Sequence, residues 1–363
     1  MPRSTLIRSV GLTSSTSGDG VEAALIDTDG RDEIIPLGGL FLPYDSEFRW
    51  QILEATQSDL PLTDFLRLES RLTQHHISAF ELLKDKYSDE MVKAEVLGFQ
   101  GHTLRHIPSK GLTLQIGNAW QLTESTKLPV VSDFQRHDMA IGGQGGPLVA
   151  MFHWALMAQE PRPALMLNLD SVASVTWLSK KNDIIAGDTG PGVGLLNEWV
   201  QEMAELPHDL EGRVAIEGKA VARVVRQALK SKFFSRNLPK SADRYEFDHI
   251  DLAGLSVPDG AATLCAITVE AFACAVKQLP DLPDLLWVTG PGSQHPVINK
   301  LLSKHFSAVK NVSERGLDPH TMAAECFAWL AVRHTKGLPI TTPETTGCRS
   351  ADCAGWMTLP TKE

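Results

Sequence analysis

The sequence lacks any hydrophobic run long enough to cross a membrane. Apolar runs such as LLWV at 285–288 and ALMLNL at 164–169 are much shorter than the roughly 18 residues that a membrane-spanning helix requires. The N-terminal segment MPRSTLIRSVGL reaches glycine and serine after only a few apolar residues, which does not match a secretory signal. We therefore expect a cytoplasmic protein with no membrane partner.

Basic residues and cysteines are both scarce. The chain has 34 Lys and Arg against 44 Asp and Glu, a formal net charge of −10, and the basic residues are scattered. Such a surface repels a nucleic-acid backbone, so no nucleic-acid partner is expected. The five cysteines form no C-x-x-C pair, and Cys348 and Cys353 have no neighbouring histidine, which argues against a zinc site. These scarcities exclude classes of protein without indicating a function.

Strand and helix signals alternate along the 363 residues, a length that suits two lobes. Apolar runs at 6–12 and 21–27 flank the turn TSSTSGDG, which predicts a hairpin, and 164–178 repeats this pattern. The segment LLWVTGPGSQHP at 285–296 predicts a strand that ends in a glycine loop. Amphipathic spacing predicts helices at 64–84, 195–206, 261–278 and 321–333. The chain is therefore predicted to be α/β.

The segment IIAGDTGPGVG at 184–194 leads an apolar strand directly to Asp188 and a Gly-Pro-Gly turn. A carboxylate at the end of a strand, beside a helix N-terminus, is well placed to act as a base. Taken alone, capping of the following helix is the commoner role for such an aspartate. The segment leaves both roles open.

Two other segments carry polar groups beside glycine. SDFQRHDMAIGGQGGPL at 132–148 holds Arg136 and Asp138 before a glycine-rich run that allows close approach of backbone, although a solvated ion pair and a tight turn explain it equally well. The turn TSSTSGDG combines hydroxyls, glycines and Asp19, which suits a phosphate and its magnesium ion. Any serine-rich hairpin has a similar composition.

In their order, these segments resemble anhydro-N-acetylmuramic acid kinases and the related levoglucosan kinases. The resemblance spans essentially the whole chain, through the blocks VGLTSSTSGDGVEAALIDTDG, GFQGHTLRHIP, VVSDFQRHDMAIGGQGGPL, AGDTGPG, NLPKSADRYEF, DGAATLCAITVEAFA, VTGPGSQHP and ECFAWLAVRHTKGLP. It implies the two-lobed, ribonuclease-H-like fold of actin, hexokinase and Hsp70, with lobes at 1–139 and 140–363, a cleft between them, and a homodimer.

The resemblance also implies a reaction, in which ATP phosphorylates O6 of a 1,6-anhydro sugar while water opens the ring. Asp188 would be the general base, and Asp19 would lie near Mg²⁺. Lys240 and Arg244 match a loop that helps to position the cleft. The side chains implied for the sugar are Arg136, Asp138, His106 and His137. The residues implied for ATP are Thr16, Ser17, Asp19, Gly20, Asn168, Gly190, Gly290 and Gly292.

Several departures from the family pattern fall on ligand loops. Ser15 replaces the first glycine of the phosphate turn, Asp170 and Ser171 replace two glycines of the second phosphate loop, and Pro291 replaces a glycine of the adenosine loop. A carboxylate about 4 Å from a triphosphate would repel it by roughly 1 to 4 kcal/mol. Further departures are Val193, the exchanged Gln100 and His102, and Ala323 in place of a glutamate, with Glu325 nearby.

These departures put binding of ATP and Mg²⁺ in question and leave alternatives open. One is an ATP-independent hydrolase, lyase or isomerase that uses Asp188 on a sugar-like or cyclic-ether substrate. Another is a non-catalytic, sugar-binding pseudokinase. The joint presence of Asp188, Arg136 and Asp138 favours an enzyme.

Overall fold

The serine- and glycine-rich turn joins the first two strands, as the sequence predicts. The computed structural model describes residues 5–15 and 17–361, and of Leu210 the backbone only. In it, Ile7–Ser14 pairs antiparallel with Gly20–Thr28, and the segment 164–178 forms a second antiparallel pair. Both predicted hairpins are confirmed.

The described strands are, in chain order, β1 (Ile7–Ser14), β2 (Gly20–Thr28), β3 (Ile34–Pro43), β4 (Val96–Ile107), β5 (Leu112–Ile116), β6 (Val130–Ser132), β7 (Ala164–Leu169), β8 (Val172–Leu178), β9 (Ile184–Pro191), β10 (Leu285–Thr289), β11 (Ala308–Asn311) and β12 (Trp356–Thr358). Short 3₁₀ turns lie at Pro108–Lys110, Leu210–Gly212, Ala215–Glu217, Arg244–Phe247, Pro291–Gln294 and Val312–Arg315.

The described helices are α1 (Ser46–Gln57), α2 (Leu62–Lys86), α3 (Ser88–Met91), α4 (Ala119–Thr126), α5 (Phe134–Ala140), α6 (Val149–Leu156), α7 (Gly194–Ala204), α8 (Ala222–Ala228), α9 (Lys232–Ser235), α10 (Val257–Val276), α11 (Pro296–Leu302), α12 (Met322–Thr335) and α13 (Pro343–Thr346). The helices predicted from amphipathic spacing correspond to α2, α7, α10 and α12, with ends that differ by a few residues. The mixed α/β prediction is confirmed.

The strands form two sheets. The first has the order β12-β6-β4-β1-β2-β3, with β5 paired to β4, and in it β4 is parallel to β1 and β6. The second has the order β11-β10-β7-β8-β9, in which β10 is parallel to β7 and β11, and β8 is antiparallel to both of its neighbours. Parallel strands at the centre of each sheet place loops at their carboxyl ends, where ligand-binding residues commonly lie.

Each sheet belongs to a different compact unit. The first unit is Met1–Ala158 together with His320–Glu363, and the second is Gln159–Pro319. This division differs from the predicted lobes 1–139 and 140–363, because α6 and the C-terminal segment pack with the first unit. Phe152 of α6 makes an edge contact with Trp329 of α12, with ring centroids 5.7 Å apart.

Helix α12 packs directly on the first sheet because two strand glycines leave room for its backbone. A Cβ atom on Gly11 would lie 1.8 Å from the Ala324 carbonyl oxygen, and one on Gly98 would lie 1.9 Å from that of Phe327. Trp329 is completely buried and donates a hydrogen bond from its indole to the Arg31 carbonyl at 3.0 Å. The C-terminal segment is therefore part of the core of the first unit.

Helix α10 forms the centre of the second unit. Within the described residues it is the helix whose length and composition would allow it to cross a membrane, with a mean hydropathy of 1.5, and 83% of that stretch is buried inside the protein. Asp259 and Glu270 interrupt its apolar residues, so no long run marks it in the sequence. Its burial against α7, α8, α11 and β9 identifies it as a core helix.

Candidate active site

Strand β9 carries Asp188 near its end, beside a bulge. Ser174 of β8 pairs with Asp188 and Ala173 pairs with Gly190, so Thr189 is an extra residue on β9. A β-bulge turns the neighbouring side chains and is common next to active sites. The Asp188 side chain is 7% exposed. A strand of small and apolar residues thus delivers a nearly buried carboxylate to the end of the sheet.

Three consecutive residues surround Asp188. Its backbone N–H donates to the Lys240 carbonyl at 2.7 Å. Its Oδ2 accepts hydrogen bonds from the Ser241 hydroxyl at 3.0 Å and from the Ala242 N–H at 2.8 Å. Both of these side-chain bonds are therefore made by Oδ2. We call Lys240–Ala242 the Asp188 cradle.

Burial controls the protonation of this carboxyl group. Desolvation raises the pKa of Asp188 from 3.8 to about 7, against the lowering effects of the Ala242 N–H, the Ser241 hydroxyl, and the charges of Lys240 and Arg236. A carboxylate with a pKa near neutrality combines a populated ionised form with useful basicity. The site can therefore hold and release a proton close to physiological pH.

In the first unit, Asp138 holds the glycine-rich run that follows it. Its Oδ2 accepts from the Gly145 N–H and its Oδ1 from the Thr346 hydroxyl, each at 2.7 Å, and the side chain is completely buried. A Cβ atom on Gly143 would lie 2.1 Å from the Asp138 carboxylate, so the loop and the carboxylate are in close contact. Asp138 therefore holds the loop at 142–146 in its conformation.

His106 borders the same glycine-rich loop from β4. Its Cε1 would lie 2.9 Å from a Cβ atom on Gly145, and its Nδ1 lies 3.1 Å from the Thr113 hydroxyl. Burial lowers the pKa of His106 to about 4, so the ring is neutral at pH 7. The structure thus brings His106 and Asp138 together at one loop.

Arg136 and His137 lie on the same short helix, α5, but have other contacts. Arg136 is exposed and pairs with the carboxylate of Asp133. His137 Nδ1 lies 3.0 Å from the backbone nitrogen and oxygen of Gly355, and its Nε2 lies 3.4 Å from Asp352. His137 therefore helps to attach the C-terminal segment, and Arg136 keeps its guanidinium at the surface.

A basic residue that was not predicted from the sequence contacts the predicted phosphate turn. Arg49 of α1 donates from Nε to Oδ1 of Asp19 at 2.9 Å and from a terminal nitrogen to the Ser17 carbonyl at 3.4 Å. The Ser15 and Ser17 hydroxyls lie 2.5 Å apart. Gly20 pairs with Pro43 of β3, close to the Leu42 carbonyl. Thr16 lies outside the described residues.

The residues at this turn fit a magnesium ion. Magnesium in phosphate-transfer sites is usually held by one or two carboxylates, phosphate oxygens and water. The Asp19 side chain remains 39% exposed beside the hydroxyls of Ser15 and Ser17. Within the described residues, no group of three or more acidic, histidine or cysteine side chains forms a metal cage. A single accessible carboxylate matches a shared magnesium site rather than a closed one.

Three loops of the second sheet meet at one end. The Val193 N–H donates to the Asp170 carbonyl at 2.8 Å, which joins the turn after β7 to the residues after β9. Gly290, with φ of +85°, approaches Asn168 so closely that a Cβ atom would lie 2.6 Å from the amide oxygen. Gly292 approaches Val193 in the same way, at 2.4 Å. Asn168, Gly290 and Gly292 are thus brought together.

Two other predicted residues of these loops have different surroundings. Gly190 faces Ala271 and Phe234, where a Cβ atom would lie 2.7 Å and 3.0 Å from them, so its small size serves packing. Asp170 accepts the Ser171 N–H on Oδ1 at 2.6 Å, which places the carboxylate within the turn. The negative charge therefore lies in the same loop cluster as Asn168 and Gly290.

The comparisons with known proteins decide the family. A profile of the family described as anhydro-N-acetylmuramic acid kinase matches residues 7–360. A relative of that name from Gluconobacter oxydans is 38% identical over 363 residues, which cover 96% of this chain and 99% of the relative. One from Zymomonas mobilis is 36% identical over 351 residues, 93% of this chain and 96% of the relative. This chain belongs to the anhydro-N-acetylmuramic acid kinase family.

Membership of the anhydro-N-acetylmuramic acid kinase family confirms the resemblance found in the sequence. It also confirms the predicted actin/hexokinase-like fold class and the prediction of an enzyme that transfers phosphate to an alcohol group. A solved structure that aligns with 89% of this chain and 99% of its own is a ROK family glucokinase from Streptomyces griseus in complex with glucose and AMPPNP, at 12% identity and a TM-score of 0.41. The family assignment rests on the sequence comparisons alone.

The remaining departures from the pattern of anhydro-N-acetylmuramic acid kinases also have defined contacts. Gln100 donates to the Gln135 side chain at 2.6 Å, and the buried His102 ring lies 2.9 Å from the Ser14 hydroxyl. Glu325 is buried at the start of α12 and accepts from the Thr321 hydroxyl at 3.0 Å. Gln100, His102 and Glu325 are therefore integrated into the first unit.

Several residues that contact the candidate site residues were not predicted from the sequence. Ser241 and Ala242 bind Asp188 although they lie more than 50 residues further along the chain, and Arg49 binds Asp19 from a helix that gave no signal. The hydroxyls of Thr289 and Ser293 are buried without a hydrogen bond to any described residue. Their position on either side of the Gly-Pro-Gly loop is the one signal that could have drawn attention to them.

Proposed function

We propose that this chain is an ATP-dependent kinase that opens a 1,6-anhydro sugar with water and transfers the γ-phosphoryl group to O6. Family membership supports an anhydro-sugar kinase in general terms. The observation that carries the detailed proposal is Asp188, a nearly buried carboxyl group with a pKa of about 7, held through Oδ2 by the cradle. Such a group is suited to take a proton from water.

In the proposed reaction, Asp188 Oδ1 accepts a proton from a water molecule while the water oxygen bonds to C1 of the sugar. The C1–O6 bond breaks, and O6 forms a bond to the γ-phosphorus as the bond from that phosphorus to the ADP oxygen breaks. The proton on Asp188 is then released to solvent. The balance is one sugar 6-phosphate, one ADP and one proton from one anhydro sugar, one water and one ATP.

The phosphate groups of ATP are proposed to meet the turn at Ser15–Gly20. The cation that a triphosphate needs in a chain of net charge −10 is supplied there by Arg49. Asp19 would hold Mg²⁺, whose contribution when bound is neutralisation of charge on the phosphate oxygens. The unsatisfied hydroxyls of Thr289 and Ser293 are suited to polar atoms of the nucleoside.

For the sugar, we propose the loop at 142–146 with its supports Asp138 and His106, together with Arg136 and His137 on α5. The neutral ring of His106 and the backbone of the loop offer hydrogen bonds without charge. The exposed guanidinium of Arg136 is available to exchange its bond with Asp133 for one to a ligand oxygen.

A second candidate function follows from Asp170. Its carboxylate lies in the loop cluster proposed for the nucleotide, where it would repel a triphosphate. The corresponding activity is an ATP-independent hydrolase, lyase or isomerase in which Asp188 is the acid or base. A non-catalytic sugar-binding protein would share the loops but would form no product.

The experiment that separates these functions measures ADP release with Mg-ATP and two sugars, levoglucosan and 1,6-anhydro-N-acetylmuramic acid. The variant Asp188→Asn is compared with Asp32→Asn, which changes an exposed aspartate in the same way. We expect sugar-dependent ADP release that falls about 10²- to 10⁴-fold in Asp188→Asn and is unchanged in Asp32→Asn. Absence of Mg-ATP binding by calorimetry at millimolar concentration would eliminate the kinase. Sugar turnover without ATP would establish the second function.

We also propose the cytoplasmic location and the homodimer that the resemblance implies. Curated relatives are bacterial proteins named as kinases, which fits an enzyme that uses the cellular ATP pool. Light scattering coupled to size-exclusion chromatography tests the dimer, for which a mass of twice 39.7 kDa is expected.

A further inference from the structure

Lys240 is a buried lysine that the proposed reaction does not use directly. Its side chain is among the largest that are completely buried, with 1% of the residue exposed. The ammonium group donates to the Phe233 carbonyl at 3.0 Å and lies 4.4 Å from the centre of the Phe233 ring. Within the described residues it forms no close ion pair. Lysine is rarely buried in this way, because removing the ammonium group from water is costly.

The backbone of Lys240 is fixed to the strand that carries Asp188. The Lys240 carbonyl accepts the Asp188 N–H at 2.7 Å. A Cβ atom on Gly187 would lie 2.6 Å from Leu238 and 2.9 Å from the Lys240 nitrogen, so this approach needs a glycine at 187. Lys240 is therefore held at two points, by β9 through its backbone and by α9 through its side chain.

Because Lys240 is anchored in this way, the two residues that follow it are directed toward Asp188. The Ser241 hydroxyl and the Ala242 N–H both donate to Oδ2 of Asp188. Phe233 is itself fixed by edge contacts with Phe234 and Phe247, at centroid distances of 5.5 Å and 5.2 Å. The bond from Lys240 thus connects a rigid aromatic cluster to the donors that orient Asp188.

We propose that Lys240 is a positioning residue for Asp188, which fixes the cradle against Phe233 and supplies the positive charge that keeps Asp188 ionised. This inference rests on the proposed role of Asp188 as general base. It extends that role because it assigns the control of the base to a side chain that does not contact the substrate.

The charged groups around Asp188 and Lys240 determine the expected pH dependence of the activity. Asp188 faces the charges of Lys240 and Arg236, which oppose its desolvation. Burial and the charge of Arg236 together lower the pKa of Lys240 to about 8, although Asp188 and Cys274 act in the opposite direction. Activity should therefore fall below about pH 7 as Asp188 is protonated, a range in which Lys240 carries its charge.

The test uses Lys240→Met, which keeps the length of the side chain and removes the charge. Loss of the charge should raise the midpoint of the acid limb of kcat/KM by at least half a pH unit. Lys300→Met, at an exposed position of α11, is the control and should leave the acid limb in place. A lysine with only a structural role would change stability and leave the acid limb where it is in the wild type.

Ser241→Ala provides a second and milder variant. Removal of the hydroxyl donor should raise the acid midpoint in the same direction, and Ser241→Thr should restore it. Ser303→Ala, which removes an exposed hydroxyl, is the matched control. If Lys240→Met does not fold, an unshifted acid limb in Ser241→Ala overturns the proposal, because the cradle that Lys240 anchors would then not control the ionisation of Asp188.

A measurement without turnover separates this inference from the proposed function. The ¹³C shift of the Asp188 carboxyl group, assigned with Asp188→Asn, reports its titration directly. A midpoint that rises in folded Lys240→Met supports the inference even if no sugar is phosphorylated. A midpoint equal to that of the wild type overturns it even if the kinase is active.

Discussion

At the scale of single residues, Asp188 shows that a nearly buried carboxyl group with a raised pKa costs stability. Its pKa in the folded protein, about 7, lies above the ordinary value of 3.8. The folded state therefore binds the proton more tightly than the unfolded state, and ionisation of Asp188 favours unfolding. The bulge, the cradle and the buried surroundings maintain the carboxyl group in spite of this cost.

Asp188→Asn should therefore stabilise the protein at high pH while it lowers activity about 10²- to 10⁴-fold. The free energy of unfolding should exceed that of the wild type by about 1–4 kcal/mol at pH 8, and the difference should shrink below about 1 kcal/mol at pH 4, where Asp188 is neutral in the folded state and close to its ordinary pKa of 3.8 in the unfolded state. Urea unfolding at pH 4 to 8 measures this difference. A constant difference across the range would show that the pKa of Asp188 is not raised.

Asp170 gives a second prediction at this scale. Asp170→Asn keeps the side-chain acceptor for the Ser171 N–H and removes the charge from the loop cluster. The dissociation constant of Mg-ATP should fall about 5- to 30-fold, since removing a repulsion of about 1–2 kcal/mol has that effect. Calorimetry compares it with Asp251→Asn, an exposed change in the same unit. Unchanged affinity would place the triphosphate away from Asp170.

Single residues also show how far the sequence could lead. An apolar strand and a Gly-Pro-Gly turn mark the position of Asp188, but they left capping and a base both open, and the resemblance to the family implied the base. Its partner Ser241 was not predictable, because 53 residues separate the two and the serine sits in no regular pattern. Asp138 and Thr346, which lie 208 residues apart, are a second example. Local pattern identifies a functional side chain, whereas the groups that tune it come from tertiary contacts.

At the scale of elements, hairpins and amphipathic helices were predictable from local spacing, and β4 was not. Its sequence VLGFQGHTLRHI combines apolar and polar residues without clean alternation, because it pairs with β1, β5 and β6 along different parts of its length. The packing of α12 on the first sheet could not be predicted from local spacing either. It depends on glycines in β1 and β4 that match a helix more than 200 residues away.

The contact of α12 with β1 gives a prediction for this scale. Gly11→Ala would place a methyl group 1.8 Å from the Ala324 carbonyl oxygen, so the helix must move. The free energy of unfolding should fall by about 3 kcal/mol or more, as for severe overpacking. Gly111→Ala is the control, since nothing lies within 4 Å of its Cβ position. Its positive φ should cost only about 1 kcal/mol. Equal losses in the two variants would contradict the packing.

At the scale of the whole molecule, the chain leaves the first unit after Ala158 and returns to it at His320. Composition and length predicted two lobes. A single boundary was predicted at 139/140, because no local sequence feature marks the return of the chain to the first unit. The formal net charge of −10 also belongs to this scale. For the triphosphate that we propose as a ligand, a chain with this charge needs local cations, and we assign that role to Arg49 beside Asp19.

The central claim is that one active site couples water attack at C1 to phosphorylation at O6. The most direct measurement runs the reaction in H₂¹⁸O with Mg-ATP and an anhydro sugar, with early quenching and an unlabelled product incubated in parallel to correct for exchange at C1. We predict one ¹⁸O at C1, none in the phosphate, and one ADP for each sugar 6-phosphate. Label in inorganic phosphate without a phosphorylated sugar, or a sugar product formed without ADP, would contradict the account.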